Sequence, residues 1–236
     1  MSASLVLLPV ALGETPWQAC LPAKTQAAAC RLRHFIAENA KSARAELKRL
    51  DHPGPLRELA IEQLPASPTA ADVDRLLAPL AAGHDVGLMS EAGCPAIADP
   101  GALLVRRAHE TGIAVKPLVG PSSLLLALMA SGLEGQRFAF HGYLPAREPE
   151  RSRRLAELES ASARQRQTQI FIETPYRNNV LFKAALGTCR RGTRLCVAAD
   201  LTLESEFIRC RRVAEWMADA PPELDRRPTV FLLLAD

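Results

Sequence analysis

The stretch Ser90–Gly101 (SEAGCPAIADPG) combines two glycines, two prolines and three alanines. Proline removes an amide donor and glycine carries no side chain to pack, so such a run sits neither inside a helix nor at the centre of a sheet. It reads as a loop of tight turns whose main chain stands bare, because few large side chains cover its N–H and C=O groups. Asp99 can tie the loop to itself by accepting from nearby amides. A second small-residue run, Gly120-Pro121-Ser122-Ser123, follows. Bare backbone at two neighbouring strand ends, facing Gly142-Tyr143, suits a compact, nucleoside-like ligand held by main-chain hydrogen bonds. A plain surface connection competes with this reading, but ordinary βα loops are shorter, about 2–6 residues.

Other chemistries leave no trace. There is no GxGxxG after a strand, no GxxxxGK[ST], and no GxSxG, HExxH or DFG. Cys20, Cys30, Cys94, Cys189, Cys196 and Cys210 form no CxxC pair, so neither a metal site nor a thioredoxin-type motif is expected. Scattered cysteines of this kind fit reduced thiols in a cytosol. The histidines stand in unrelated contexts and read as surface or capping residues.

The elements that must position the loops follow from periodicity. Val86–Met89, bounded by Gly83-His84-Asp85, is a buried strand leading into the loop, and Ala102–Thr111 is a helix closed by Gly112. Upstream, Ser4–Leu8, Arg33–Ala37 and Leu59–Leu64 read as strands. Trp17–Cys30 is weakly helical and Ala40–Leu50 is a helix by propensity. Thr69 caps a helix over Ala70–Ala82 that sets Val73, Leu76, Leu77 and Leu80 on one face. Ile113–Val119 is a strand, and an apolar helix capped by Ser122 or Ser123 ends at Gly132. This alternation predicts a mainly parallel sheet with right-handed crossovers. Beyond Glu134 the texture changes. Phe138–Leu144, Thr168–Glu173, Arg194–Ala199, Glu204–Arg212 and Thr229–Leu234 are strands. Glu150–Ser162 is a charged, solvated helix whose Arg151, Arg153 and Arg154 form an exposed face, and Asn178–Leu186 is a short helix. The fold class is therefore α/β with two α/β domains, 1–134 on a parallel sheet and 135–236 on a mixed one.

Bulk properties agree. Of 236 residues, 48% are apolar and 5% aromatic, enough for cores built mostly from Leu, Ala and Val. Net charge is +3, too mild to declare a nucleic-acid binder, and the positive excess lies in residues 137–236 as arginine. The apolar Leu5–Leu12 lacks a basic leader and is broken by Pro9, and no apolar run nears the ~20 residues of a membrane helix. A cytoplasmic protein with no membrane partner is expected.

SEAGCPAIADPG, then GPSS, ASGL and FAFHGYLP, resemble the tetrapyrrole methylase superfamily, and within it most closely the ribosomal RNA small subunit methyltransferase I family, which methylates a cytidine ribose 2′-oxygen. That family's run is close to S-D-A-G-T-P-x-I-S-D-P-G, G-P-S, A-S-G-L and F-x-G-F-L-P, in matching order over residues 86–145. IFIETPYR over 170–177 resembles its strand followed by E-x-P-x-R, and LLPVALGE resembles its A-T-P-I-G-N turn loosely. The resemblance implies S-adenosyl-L-methionine bound in an inter-domain cleft, a homodimer, no metal, and ribosomal RNA or the small ribosomal subunit as partner. It implies cofactor contacts from Pro9, Ser90, Ala92, Gly93, Cys94, Pro95, Ile97, Ala98, Asp99, Ser122, Ser123, Gly142, Tyr143, Pro228 and Thr229. Three departures stand out. The family's E-D-T-R is here Glu38-Asn39-Ala40-Lys41, its usual Thr is Cys94, and its R-E-L-T-K is only echoed by residues 199–203.

Moving a methyl group to a ribose hydroxyl requires in-line placement near 3–3.5 Å and a group that takes or orients the proton. Glu38 and Lys41 are the catalytic candidates. Lys41 and Arg44, at i and i+3, share a helix face and could hold acceptor phosphate. Glu173 is a second candidate base, and with Arg177 a substrate candidate. Tyr143 could stack on a base. A methylase of a tetrapyrrole or other small molecule, and a non-catalytic binder that keeps the cofactor fold, are the competing functions.

Overall fold

A computed structural model describes residues 3–236. The chain divides into two compact units, the first ending at Ser122 and the second running from Ser123 to Asp236. The sequence places the junction later, near Glu134. The apolar helix Ser123–Ser131 accounts for the difference, because it packs on strands of the second unit.

In the first unit strands and helices alternate. The strands are β1 (Ser4–Leu7), β2 (His34–Ala37), β3 (Ala60–Gln63), β4 (Val86–Met89) and β5 (Ala114–Pro117). The helices are α1 (Ala23–Ala29), α2 (Ala40–Arg49), α3 (Ala70–Ala81) and α4 (Ala102–Glu110). The weakly helical stretch from Trp17 is split, a 3-10 turn over Trp17–Ala19 preceding α1, whose cap is Pro22. All strand pairs are parallel, in the order β3-β2-β4-β1-β5. Alternate side chains go to opposite faces. Val6, Phe35 and Met89 pack with Ala29 of α1 and Ala43 and Leu47 of α2. Leu5, Ile36, Val86 and Leu88 pack with Leu76, Leu77 and Leu80 of α3 and Leu104 of α4. Each fully buried Leu or Ile contributes about 1.5–3 kcal/mol. The helix starts are encoded locally. Asn39 Oδ1 accepts from the amides of Lys41 and Ser42 to open α2. Thr69 and Asp72 form a capping box that opens α3.

The connections decide where a ligand edge lies. The chain leaves β1 and β2 toward the α1/α2 face and leaves β4 toward the α3/α4 face. Adjacent strands whose crossovers run to opposite faces open a crevice at their carboxyl ends. That crevice is lined by the segments after Leu7, Ala37 and Met89.

The second unit contains α5 (Ser123–Ser131), β6 (Phe138–Tyr143), α6 (Glu150–Gln165), β7 (Thr168–Ile172), α7 (Asn178–Thr188), β8 (Arg194–Ala199), β9 (Phe207–Arg212), α8 (Val213–Ala218) and β10 (Thr229–Leu234). Its sheet is mixed, in the order β6-β7-β10-β8-β9, with only β6–β7 parallel. Phe171, Phe182, Trp216 and Phe231 fill its core. The exposed arginine face expected on α6 is corrected at Arg151, which is buried. Its guanidinium donates to Glu148 Oε1 at 2.9 Å and to the Ala146 carbonyl at 3.0 Å, which replaces lost water. Leu155, Leu158, Glu159 and Ser162 share that buried face. Among the described residues no helix is long and apolar enough to cross a membrane.

Candidate functional site

The loop after β4 is more internally bonded than a bare cradle. Gly93, at φ +74°, forms an antiparallel bridge with Val10, its amide and carbonyl each exchanging a 2.9 Å bond with that residue. This bridge ties the loop to the turn after β1, where Pro9 is buried. The Ser90 hydroxyl donates to the Ala92 carbonyl at 3.2 Å. The Cys94 thiol donates to the Pro121 carbonyl at 3.5 Å, so the two small-residue loops read from the sequence do meet.

Asp99 is the knot of the loop. Its carboxylate accepts from the Ala96 amide at 2.9 Å and from the Gly101 amide at 2.7 Å. Ala96 and Ala98 lie at φ +67° and +64°, a left-handed region that costs an L-residue about 1–2 kcal/mol. Gly101 permits the close approach, since a Cβ there would stand 2.7 Å from Asp99 Oδ1. Ala92, Ile97 and Ala98 remain exposed on the outer side of the loop.

Glu38, directly after β2, reaches this loop. Its Oε1 accepts from the Glu91 amide at 3.2 Å, and the Ser42 hydroxyl donates to the Glu91 carboxylate at 3.4 Å. Burial pushes the Glu38 carboxyl up, the charge of Asp99 adds to this, and the Glu91 amide opposes it. Burial likewise pushes Asp99 up, against the amides of Gly101 and Ala96. Raised carboxyls favour the folded chain toward acid. Their contribution is complete below the unfolded pKa and is lost as pH rises through the folded pKa. Glu38 and Asp99 were legible as candidates. Glu91 occupies the acid position of the family's S-D-A-G run, inside the stretch from Ser90 to Asp99.

Lys41 and Arg44 are exposed on the first turns of α2. The Arg44 guanidinium donates to the Ala40 carbonyl at 3.3 Å. Farther along α2, buried Glu46 accepts from the Ala11 amide at 3.3 Å and pairs with Arg49, which donates to the Gly13 carbonyl at 2.6 Å. These two residues, which no motif signals, hold the turn after β1.

In the second unit a polar cluster surrounds the end of β7. Glu173 is buried, and its Oε1 accepts from Arg177 Nη2 at 2.6 Å and from the Thr174 amide at 2.7 Å. Burial alone would raise this carboxyl, but the Arg177 and Thr174 bonds outweigh it and hold it low. The ion pair commits one carboxylate oxygen of Glu173 to anchoring Arg177. Tyr143 is 57% exposed and follows Gly142 at φ +64°, past a shift in the β6–β7 register. Fully buried Asn178, also missed, donates to the Arg227 carbonyl at 2.7 Å and to Thr229 Oγ1 at 3.2 Å. The Thr229 hydroxyl donates in turn to the Arg227 carbonyl at 2.9 Å, so that side chain is committed within the fold. Pro228 is exposed and its carbonyl accepts from the Asp200 amide at 2.9 Å. Ser122 and Ser123 are half-buried. Asn178→Ala is expected to cost about 1–3 kcal/mol, because it removes the two bonds that this buried side chain donates to the Arg227 carbonyl and to Thr229 Oγ1. Chemical denaturation of the variant checks this, and an unchanged midpoint would refute it.

The sequence model of the family described as Tetrapyrrole (Corrin/Porphyrin) Methylases matches residues 22–215. A ribosomal RNA small subunit methyltransferase I of Xylella fastidiosa is 45% identical over 104 residues, covering 44% of this chain and 37% of that protein. One of Mesorhizobium japonicum is 37% identical over 175 residues, covering 64% and 58%. The chain spans about half the length of the curated relatives it matches. A crystal structure titled as the methyltransferase CobJ superposes with a TM-score of 0.66 at 17% identity, covering 99% of this chain and 95% of that one. At that identity the likeness concerns the fold.

Proposed function

Because the chain belongs to the tetrapyrrole (corrin/porphyrin) methylase family, we propose that it transfers a methyl group from S-adenosyl-L-methionine to a ribose 2′-oxygen of ribosomal RNA in the small ribosomal subunit. The observation that carries this reading is Glu38 bonded to the Asp99-knotted loop at the crevice of the parallel sheet. The residues fit the donor. Glu38, Glu91 and Asp99 give that end of the sheet a negative potential suited to a sulfonium cation. The small side chains of exposed Ala92 and Ala98 leave main chain approachable by a nucleoside. Pro9, Ser90, Cys94, Pro95 and Ile97 belong to the same lining.

When bound, S-adenosylmethionine supplies an electrophilic methyl group that needs no metal and no covalent enzyme intermediate. Glu38 accepts or orients the proton of the acceptor hydroxyl, and its raised carboxyl makes it a stronger base than an exposed glutamate. Lys41 and Arg44 bind acceptor phosphate from their exposed places on α2. Arg177, anchored by Glu173, adds a cation for the substrate. The names of the curated relatives support RNA over a small acceptor. The same reading makes the chain a cytoplasmic homodimer, and the exposed Leu125 and Met129 of α5 are apolar surface that a second copy could cover.

The test is calorimetry with S-adenosylmethionine, followed by transfer onto small-subunit RNA and mapping of 2′-O-methyl ribose. Glu38→Gln is expected to bind the donor as the wild type does while kcat falls roughly 10²–10⁴-fold. Only ionised Glu38 takes a proton, so the wild-type rate falls as pH drops through its raised pKa, and the variant loses that acid limb. Turnover confined to small-molecule acceptors would overturn the RNA assignment, and absence of donor binding would overturn the whole reading.

A further inference from the structure

The sheet of the second unit brings two cysteines together that no motif connects. Strands β8 and β9 pair antiparallel with Cys196 directly opposite Cys210. Opposed residues in such a pair have Cα atoms about 4.5–5.5 Å apart, inside the roughly 4.4–6.8 Å that a disulfide spans. Both side chains lie on one face of the sheet. Leu195, Val197 and Ala199 point to the other face, into the aromatic core. Cys196 is fully buried, whereas Cys210 is partly open to solvent. We propose that Cys210 and Cys196 are a peroxide-oxidisable pair that closes a cross-strand disulfide between β8 and the edge strand β9.

The two thiols have unequal roles. Cys210 is pushed down, first by a hydrogen bond from Cys196 and further by Arg194, against burial and the charge of Glu215. Cys196 is pushed up by that same bond and by burial. The other displaced thiols, Cys30, Cys94 and Cys189, are all displaced upward, chiefly by burial, Cys189 to about 12. The thiolate is the nucleophile, so Cys210 attacks first. Its sulfur bonds to one oxygen of the peroxide, the O–O bond breaks, and the hydroxide released takes the Cys210 proton as water. The resulting sulfenic acid is attacked by the Cys196 sulfur. An S–S bond forms, the S–O bond breaks, and the second hydroxide leaves with the Cys196 proton as water. Two electrons pass from sulfur to peroxide. The product pins the outermost strand of the sheet, with β8 and β9 held in the register they already have.

The test treats the purified chain with one equivalent of hydrogen peroxide, alkylates it in denaturant, and reads intact mass and peptide map. The expected result is a chain two hydrogens lighter before alkylation, four rather than six alkyl groups after it, and one linked peptide pair carrying Cys196 and Cys210, all reversed by dithiothreitol. Cys210→Ser should lose no thiol pair. Cys196→Ala should stop at oxygen addition on Cys210, and Cys196→Ser repeats that test should the alanine variant fold poorly. Retention of all six thiols by the wild type, oxygen addition without a cross-link, or a link between any other cysteines overturns the proposal.

Discussion

Asp99→Ala is expected to abolish binding of S-adenosylmethionine while leaving the first sheet folded. The carboxylate gathers the amides of Ala96 and Gly101, and each bond to a charged acceptor is worth about 1.5–3 kcal/mol. Those bonds offset the cost of holding Ala96 and Ala98 in the left-handed region. Alanine removes them together, and the loop relaxes to conformations in which φ is negative. The Val10–Gly93 bridge and the packing of Leu88 and Leu104 lie outside the knot, so the sheet persists. Calorimetry should show at least a hundredfold weaker donor binding, about 2.7 kcal/mol, with near-unchanged far-ultraviolet circular dichroism. Asp99→Asn, which keeps one acceptor oxygen, should fall between alanine and wild type. Donor affinity within twofold of wild type in the alanine variant would show that the loop's shape does not depend on this side chain.

Trp216→Ala is expected to be the most destabilising single change in the second unit. The indole is 1% exposed and stands edge-on to Phe182 at 5.3 Å between centroids. Its Nε1 donates to the Leu195 carbonyl at 2.8 Å, tying α8 to β8. Loss of a buried Trp costs about 3–5 kcal/mol, a large share of the roughly 5–15 kcal/mol that holds a domain together. The melting midpoint should fall on the order of 10 °C. Trp216→Phe restores ring volume but not the N–H, so it should recover more than half of the loss. A shift below about 2 °C for the alanine variant would mean that the core closes over the vacancy.

The elements of both units were readable along the chain because each depends on neighbours in sequence. Short, unbroken apolar runs marked Ser4–Leu7 and Val86–Met89, and the i, i+3, i+4, i+7 set from Val73 to Leu80 marked α3 with its Thr69 cap. Pro, Gly and Ala in residues 90–101 marked the loop, and Asp99 proved to hold it from within, as its place among those residues suggested. Local pattern could say that Glu150–Gln165 is a helix, yet it misjudged Arg151. The acceptors that let a guanidinium sit indoors, Glu148 and the Ala146 carbonyl, are supplied by the turn that precedes the helix.

What the amino-acid order determined by itself was the set of strands and helices, their alternation, and the small-residue loops at the sheet edge, since dihedral preference and side-chain period act over a few residues. Only the tertiary structure decided that Glu38 meets the Glu91 amide, that Asn178 laces α7 to the start of β10, that α5 belongs to the second sheet, and that Cys196 faces Cys210. Each of these depends on strand order and register. Those are set by which crossover packs on which face of the sheet, a choice made by the whole buried surface at once and written in no short stretch of residues.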